Sequence, residues 1–164
     1  MPQFNVLLFH GSVIAVDDKG YLFTAPSGTG KSTHARLWME RFKSRAYMVN
    51  DDKPLLKVDN GVVTAYGTPW DGKHRLSTNT CVPLQGICIL YQAKENTIEK
   101  IAKKDALMQI LQQTYRPLDD SQAYIQTLNL IDQLLNSIPV YKMGCNISQE
   151  AVEIAYEAMK ITND

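Results

Sequence analysis

The sequence predicts one α/β domain built on a mixed, partly antiparallel sheet with flanking helices, and three observations carry that prediction. Residues 25–33, Ala-Pro-Ser-Gly-Thr-Gly-Lys-Ser-Thr, link an apolar strand to an amphipathic helix. A later apolar strand ends in Asn50-Asp51-Asp52, a polar cluster at a strand terminus. The chain has 164 residues, 45% hydrophobic and 21% charged, which is the size and composition of one globular unit spanning residues 1–164.

Taken in order, residues 6–16 are apolar and β-branched around His10-Gly11-Ser12, so they read as two short strands or one strand bent at Gly11. Residues 17–20 form a turn and residues 21–24 a buried strand. Leu37, Trp38 and Phe42 recur at helical spacing across residues 32–42. Residues 46–49 form a strand, and residues 55–58 and 62–66 flank Asp59-Asn60-Gly61, whose composition suits a hairpin turn.

Residues 67–75 read as a loop, because Gly, Pro and polar side chains dominate. A strand resumes over residues 84–91, with Pro83 at its start. Apolar positions at steps of three and four make residues 105–115 and 121–136 amphipathic helices, separated by Arg116-Pro117-Leu118. Residues 140–143 form a short strand, and Ser148 suits the N-cap of a last helix.

Seventeen basic residues balance seventeen acidic ones, so no net field attracts nucleic acid or an anionic membrane. Neither is expected as a partner. Cys81, Cys88 and Cys145 are too scattered for a disulfide framework or a zinc site. The apolar N-terminal run lacks a preceding basic region and a small-residue cleavage site. No apolar run approaches the ~20 residues of a membrane-spanning helix, so a cytoplasmic location is expected.

Phosphate recognition needs backbone donors that converge without bulky side chains in the way. Gly28 and Gly30 meet that need, and the helix that follows adds the positive end of its dipole. The pattern is that of a P-loop, with Ala25 where the first glycine usually stands. Lys31 then faces the β- and γ-phosphates, and the Ser32 hydroxyl is a ligand for Mg2+. Asp51-Asp52 stands where an acid would bind that metal, and a neighbouring carboxylate can serve as general base. On composition alone His10 is either a core residue or a group facing the phosphates. The segment at 67–75, with Asp71, Lys73, His74 and Arg75, is either an acceptor contact or a solvated loop. His34, one turn into the helix, reads as a surface or packing residue.

His10-Gly11, the strand at 21–24, Ser27-Gly28-x-Gly30-Lys31-Ser32 and Val49-Asn50-Asp51-Asp52 resemble, in order and spacing, the catalytic domain of the HPr kinase/phosphorylase family. The wording Ser-Gly-Thr-Gly-Lys-Ser-Thr also resembles the kinase loop of ATP-dependent phosphoenolpyruvate carboxykinase, which shares that P-loop fold. The resemblance implies a fold of the carboxykinase/HPr-kinase type. It puts Ser27, Gly28, Thr29, Gly30, Lys31, Ser32 and Thr33 on the nucleotide and Ser32 and Asp52 on Mg2+. It also makes Asp51 the base toward a serine-type hydroxyl, sets His10 beside the phosphates, and suggests self-association. One departure is that Asp59 and Asp71 are the only acids between residues 53 and 94, so Asp71 is the available stand-in for that family's downstream metal-binding glutamate.

The expected activity is therefore Mg2+-dependent transfer of the γ-phosphoryl group of ATP to a hydroxyl, on a protein or peptide serine or on a small molecule. ATP is expected over GTP because the guanine-specifying Asn-Lys-x-Asp is absent. Two alternatives stay open. One is a regulatory module that binds ATP or GTP without transferring phosphate. The other is a small-metabolite kinase of the shikimate-kinase type, which the lack of an arginine cluster after the loop helix disfavours.

Overall fold

The computed structural model describes residues 5–25, 30–67 and 80–160. Its centre is a curled mixed sheet, and the long strand β7 (Cys81–Gln92) holds the sheet together. On one side of β7 run β3 (Lys19–Thr24), β2 (Ser12–Val16) and β4 (Ala46–Asn50); on the other run β9 (Val140–Cys145) and the edge strand β8 (Thr97–Ile101). β7 is parallel to β3 and β9, whereas β2, β4 and β8 are antiparallel to their neighbours. The first residues of β7 pair instead with an antiparallel wing, β6 (Val62–Tyr66), β5 (Leu55–Asp59) and β1 (Val6–Leu8).

Period-two alternation explains the layers. Val13 and Ala15 of β2, Leu22 of β3 and Ile87 and Ile89 of β7 face one core, closed by Ala106 and Ile110 of α2 (Lys103–Gln113) and Leu130, Ile131 and Leu134 of α3 (Ser121–Ser137). Their neighbours in sequence, Ile14, Val16, Tyr21, Phe23, Cys88 and Leu90, face a second core. That core is closed by Ala35, Trp38 and Phe42 of α1 (Lys31–Phe42) and by Ala151, Val152 and Ala155 of α4 (Gln149–Met159). Strands covered on both faces read as continuous apolar runs, which is why these segments were legible as buried. Helix starts follow capping chemistry. Ser148 accepts from the Ala151 N–H as expected, and Asp120 accepts from the N–H groups of Gln122 and Ala123.

Residues 6–16 form two strands, the first of the two expected readings, and they join different parts of the sheet. Several boundaries differ from expectation. The turn after β2 is only Asp17-Asp18, both at positive φ, so Lys19 and Gly20 already belong to β3. Arg45 grips the Asp17 carboxylate through Nε at 3.0 Å and Nη2 at 2.6 Å, which fastens this turn to the chain entering β4. β7 starts at Cys81, so Pro83 lies inside it. Pro83 sits where the strand leaves β6 for β3, a place where a missing N–H is tolerated. β8 was not foreseen, because Glu99 and Lys100 break its apolar pattern; charges of this kind are typical of an edge strand. The loop at 67–75 lies, beyond Gly67, outside the described residues.

Gly20 marks the closest approach between β3 and the start of β7. A Cβ there would stand 2.7 Å from Cγ2 of buried Val82 and 3.3 Å from the Pro83 carbonyl. Gly20→Ala is expected to destabilise the fold by about 1–3 kcal/mol through overpacking, as a lower midpoint in urea unfolding; an unchanged midpoint would mean that the two strands are free to separate.

Candidate functional site

The polar residues of interest collect at one end of the sheet because of strand direction. β3 runs toward the loop that precedes α1, β2 leaves the same end, and β4 returns to it. His10, Gly11 and Ser12, Thr24 and Ala25, and Asn50, Asp51 and Asp52 are therefore neighbours across three strands. Thr24 Oγ1 donates to the His10 carbonyl at 2.9 Å, and the Gly11 N–H donates to the Asp52 carbonyl at 2.9 Å.

Asn50 organises the acidic pair. It is fully buried, and its Oδ1 accepts from the N–H groups of Asp52 at 2.8 Å and Lys53 at 2.9 Å, an Asx turn that fixes both aspartates. A register shift between Val13 and Ile14, opposite Asn50 and Met48, bends the strand end just before it. The two carboxylates then meet different surroundings. Asp51 is only 2% exposed, with Ser12 Oγ 3.1 Å from both its backbone oxygen and its Oδ1. The Asp52 side chain is 26% exposed, with Oδ1 3.3 Å from His10 Nε2 and Oδ2 3.7 Å from Lys53 Nζ. His10 Nδ1 lies 3.1 Å from Gln113 Oε1, so the end of α2 steadies the imidazole.

On the helix side, Gly30 precedes α1 at φ 87°, the left-handed region that glycine occupies without strain. Gly30 and Thr33 are exposed, and Lys31 and Ser32 are partly exposed at the first turn. Ser27, Gly28 and Thr29 lie outside the described residues, as does Asp71. His34 is a packing residue, 3% exposed, with its ring edge-on to Phe23 at 4.7 Å. Its Nε2 accepts from Trp38 Nε1 at 3.0 Å, and burial pushes its pKa down to about 4. Sequence reasoning missed Ser12, Asn50 and Gln113. The Asn-Asp-Asp-Lys-Pro wording carries an Asx-turn signal for Asn50, whereas nothing local points from His10 to a glutamine 103 positions away.

Among the described residues no cluster of three or more His, Cys, Asp or Glu is set to hold a metal, and no helix is long and apolar enough to cross a membrane. A family model described as the SynChlorMet cassette protein ScmC matches residues 2–157. The chain belongs to the ScmC family. This corrects the family to which the first third of the sequence pointed, HPr kinase/phosphorylase. The motifs behind that resemblance occupy short stretches and answer to the demands of a site, whereas the ScmC model spans nearly the whole chain. The curated proteins contain no match to this ScmC-family chain. Among solved structures, the Hpr(Ser) kinase/phosphatase from Coxiella burnetii is similar with a TM-score of 0.51 and 13% identity, covering 92% of this chain and 95% of that one. At that identity the likeness is one of fold: a mixed sheet with helices on both faces.

The buried His34 gives the ScmC-family chain a pH dependence of defined sign. Unfolded, the ring protonates below pH about 6.5, whereas the folded ring resists until about pH 4. The stability that a neutral His34 allows is therefore complete above pH 6.5 and lost progressively as pH falls toward 4, up to about 3 kcal/mol. In urea unfolding at pH 7 and 4.5, His34→Gln, which keeps an acceptor for the indole but cannot titrate, is expected to lose less stability than wild type between the two pH values. Equal losses would place the imidazole in contact with water.

Proposed function

We propose that residues 1–164 act as one nucleotide-binding unit of the carboxykinase-like P-loop type. It transfers the γ-phosphoryl group of ATP to a hydroxyl, either a serine of a protein or peptide or a small alcohol. The observation that carries this reading is the convergence of Asp51, Asp52 and His10 at the sheet end where β3 runs toward Gly30 and α1. Such a strand end beside a helix N-terminus is where open α/β sheets gather ligands. The sequence Ser27-Gly28-Thr29-Gly30-Lys31-Ser32-Thr33 adds the phosphate-binding chemistry.

In this reading the backbone N–H groups of the loop and the Lys31 ammonium hold the phosphate chain and offset the charge that develops on it. Mg2+, when bound, neutralises the phosphate oxygens; it takes few protein ligands and favours hard oxygens. The Ser32 hydroxyl and the Asp52 carboxylate suit it, because Asp52 is partly open and oriented by His10. Asp51, shielded and aligned by the Ser12 hydroxyl, takes the acceptor's proton as the new P–O bond forms and ADP leaves. His10 acts as a positioning residue for Asp52.

Lys31→Ala is expected to cut labelled-phosphate transfer from ATP by roughly 100-fold or more; wild-type turnover in that variant would remove the P-loop from the reaction. Asp51→Asn is expected to retain ATP binding in calorimetry while lowering the transfer rate by about 10² to 10⁴. Asp52→Asn instead is expected to weaken the Mg2+ dependence of binding. The reverse pattern would exchange the two roles, and tight ATP binding with no transfer to serine, peptides or small alcohols would identify a regulatory nucleotide-binding module.

A further inference from the structure

A cavity of about 310 Å³ opens beside the first two turns of α1, on the side of the helix away from the acidic pair. One wall is Thr33, His34 and Leu37; the other is formed by Ala93, Cys145 and Ile147, at and just past the C-terminal ends of β7 and β9. Its near end reaches Gly30, the residue of the proposed phosphate loop that caps α1. The volume is at the small end of those that take organic ligands. It suits a planar heterocycle and leaves the sugar and phosphates of a nucleotide outside, toward Gly30.

Two further observations give the cavity a chemistry. Ile147 stands at its lip 79% exposed, a large apolar side chain that gains from a flat ring laid against it. Nδ1 of His34 is the one buried side-chain nitrogen or oxygen without a hydrogen-bond partner among the described residues. Indole nitrogen only donates, so the Trp38 contact makes His34 Nε2 the acceptor and leaves the proton of the neutral ring on Nδ1. A buried donor without a partner costs stability unless a ligand or water answers it.

We propose that this cavity receives the purine ring of the nucleotide, stacked against Ile147 and Leu37, with His34 Nδ1–H offered to a ring nitrogen. The inference rests on the ATP-binding reading above and deepens it: affinity is divided between a phosphate cradle at Gly30–Ser32 and a base slot one helical turn further on. His34 then has two tasks, an acceptor for Trp38 inside the core and a donor toward the cavity.

The test compares binding of ATP and of inorganic tripolyphosphate, each with Mg2+, by calorimetry on the full chain. The variants are Ile147→Asn, which alters an exposed side chain, and Ala93→Phe, which fills the slot. Wild type is expected to bind ATP more tightly than tripolyphosphate. Both variants are expected to weaken ATP by about fivefold or more while leaving tripolyphosphate within about twofold. If both ligands bind wild type and neither variant changes ATP affinity, the base slot is refuted and the phosphate reading stands. A uniform loss of both ligands in the folded variants also refutes the slot. If neither ligand binds wild type, the nucleotide reading falls and this inference with it.

Discussion

Burial of the central sheet on both faces is the constraint from which the rest of the molecule follows. Strands β2, β3 and β7 are packed between α1 and α4 on one side and α2 and α3 on the other, so their middles admit almost only apolar side chains. Polar chemistry is forced to the strand ends. There Ser12, Thr24, Asn50 and Asp51 are all buried, and each is held by hydrogen bonds to a neighbouring strand or turn. Satisfied buried polar groups stabilise one arrangement, because a shift of any one strands the others without partners. The end of the sheet is thus rigid for the same reason that its middle is apolar.

That rigidity bears on the acidic pair. Adjacent residues on an extended chain point to opposite sides, which would scatter Asp51 and Asp52. The Asx turn at Asn50 and the register shift before it end the strand and set the two carboxylates in a shielded and an open environment. One carboxylate faces a hydroxyl and the other an imidazole, so the two differ in access to water although they are neighbours in sequence.

Legibility in the sequence tracked the range of the determining interaction. Buried strands, the Asp59–Gly61 turn and the Ser148 cap depend on side chains a few positions apart, and all were readable. β8 was not, since Glu99 and Lys100 look like a loop until β9 pairs with them. Asp51, Asp52, His10 and the loop at 25–33 could be picked out as candidates by residue type. Gln113 and Ser12 could not, because their relation to the site arises only from strand order. The family was misread for a related reason: short motifs report what a site must do, and chains of different families can share them on a similar fold.

Trp38 ties the two halves of the candidate site to one element. Its ring lies 5.0 Å from Tyr21, 5.1 Å from Phe23, 5.6 Å from Phe42 and 5.7 Å from Tyr156, which anchors α1 against both β3 and α4. The first turn of α1 therefore cannot tilt without disturbing an aromatic cluster at the centre of a core. Gly30, where the cavity beside His34 begins, and Lys31 and Ser32 in the turn that follows are therefore held in a fixed relation to one another. Under the proposed reading, a ligand long enough to reach from the cavity to the acidic strand end would gain from both contacts, and a shorter one from only one.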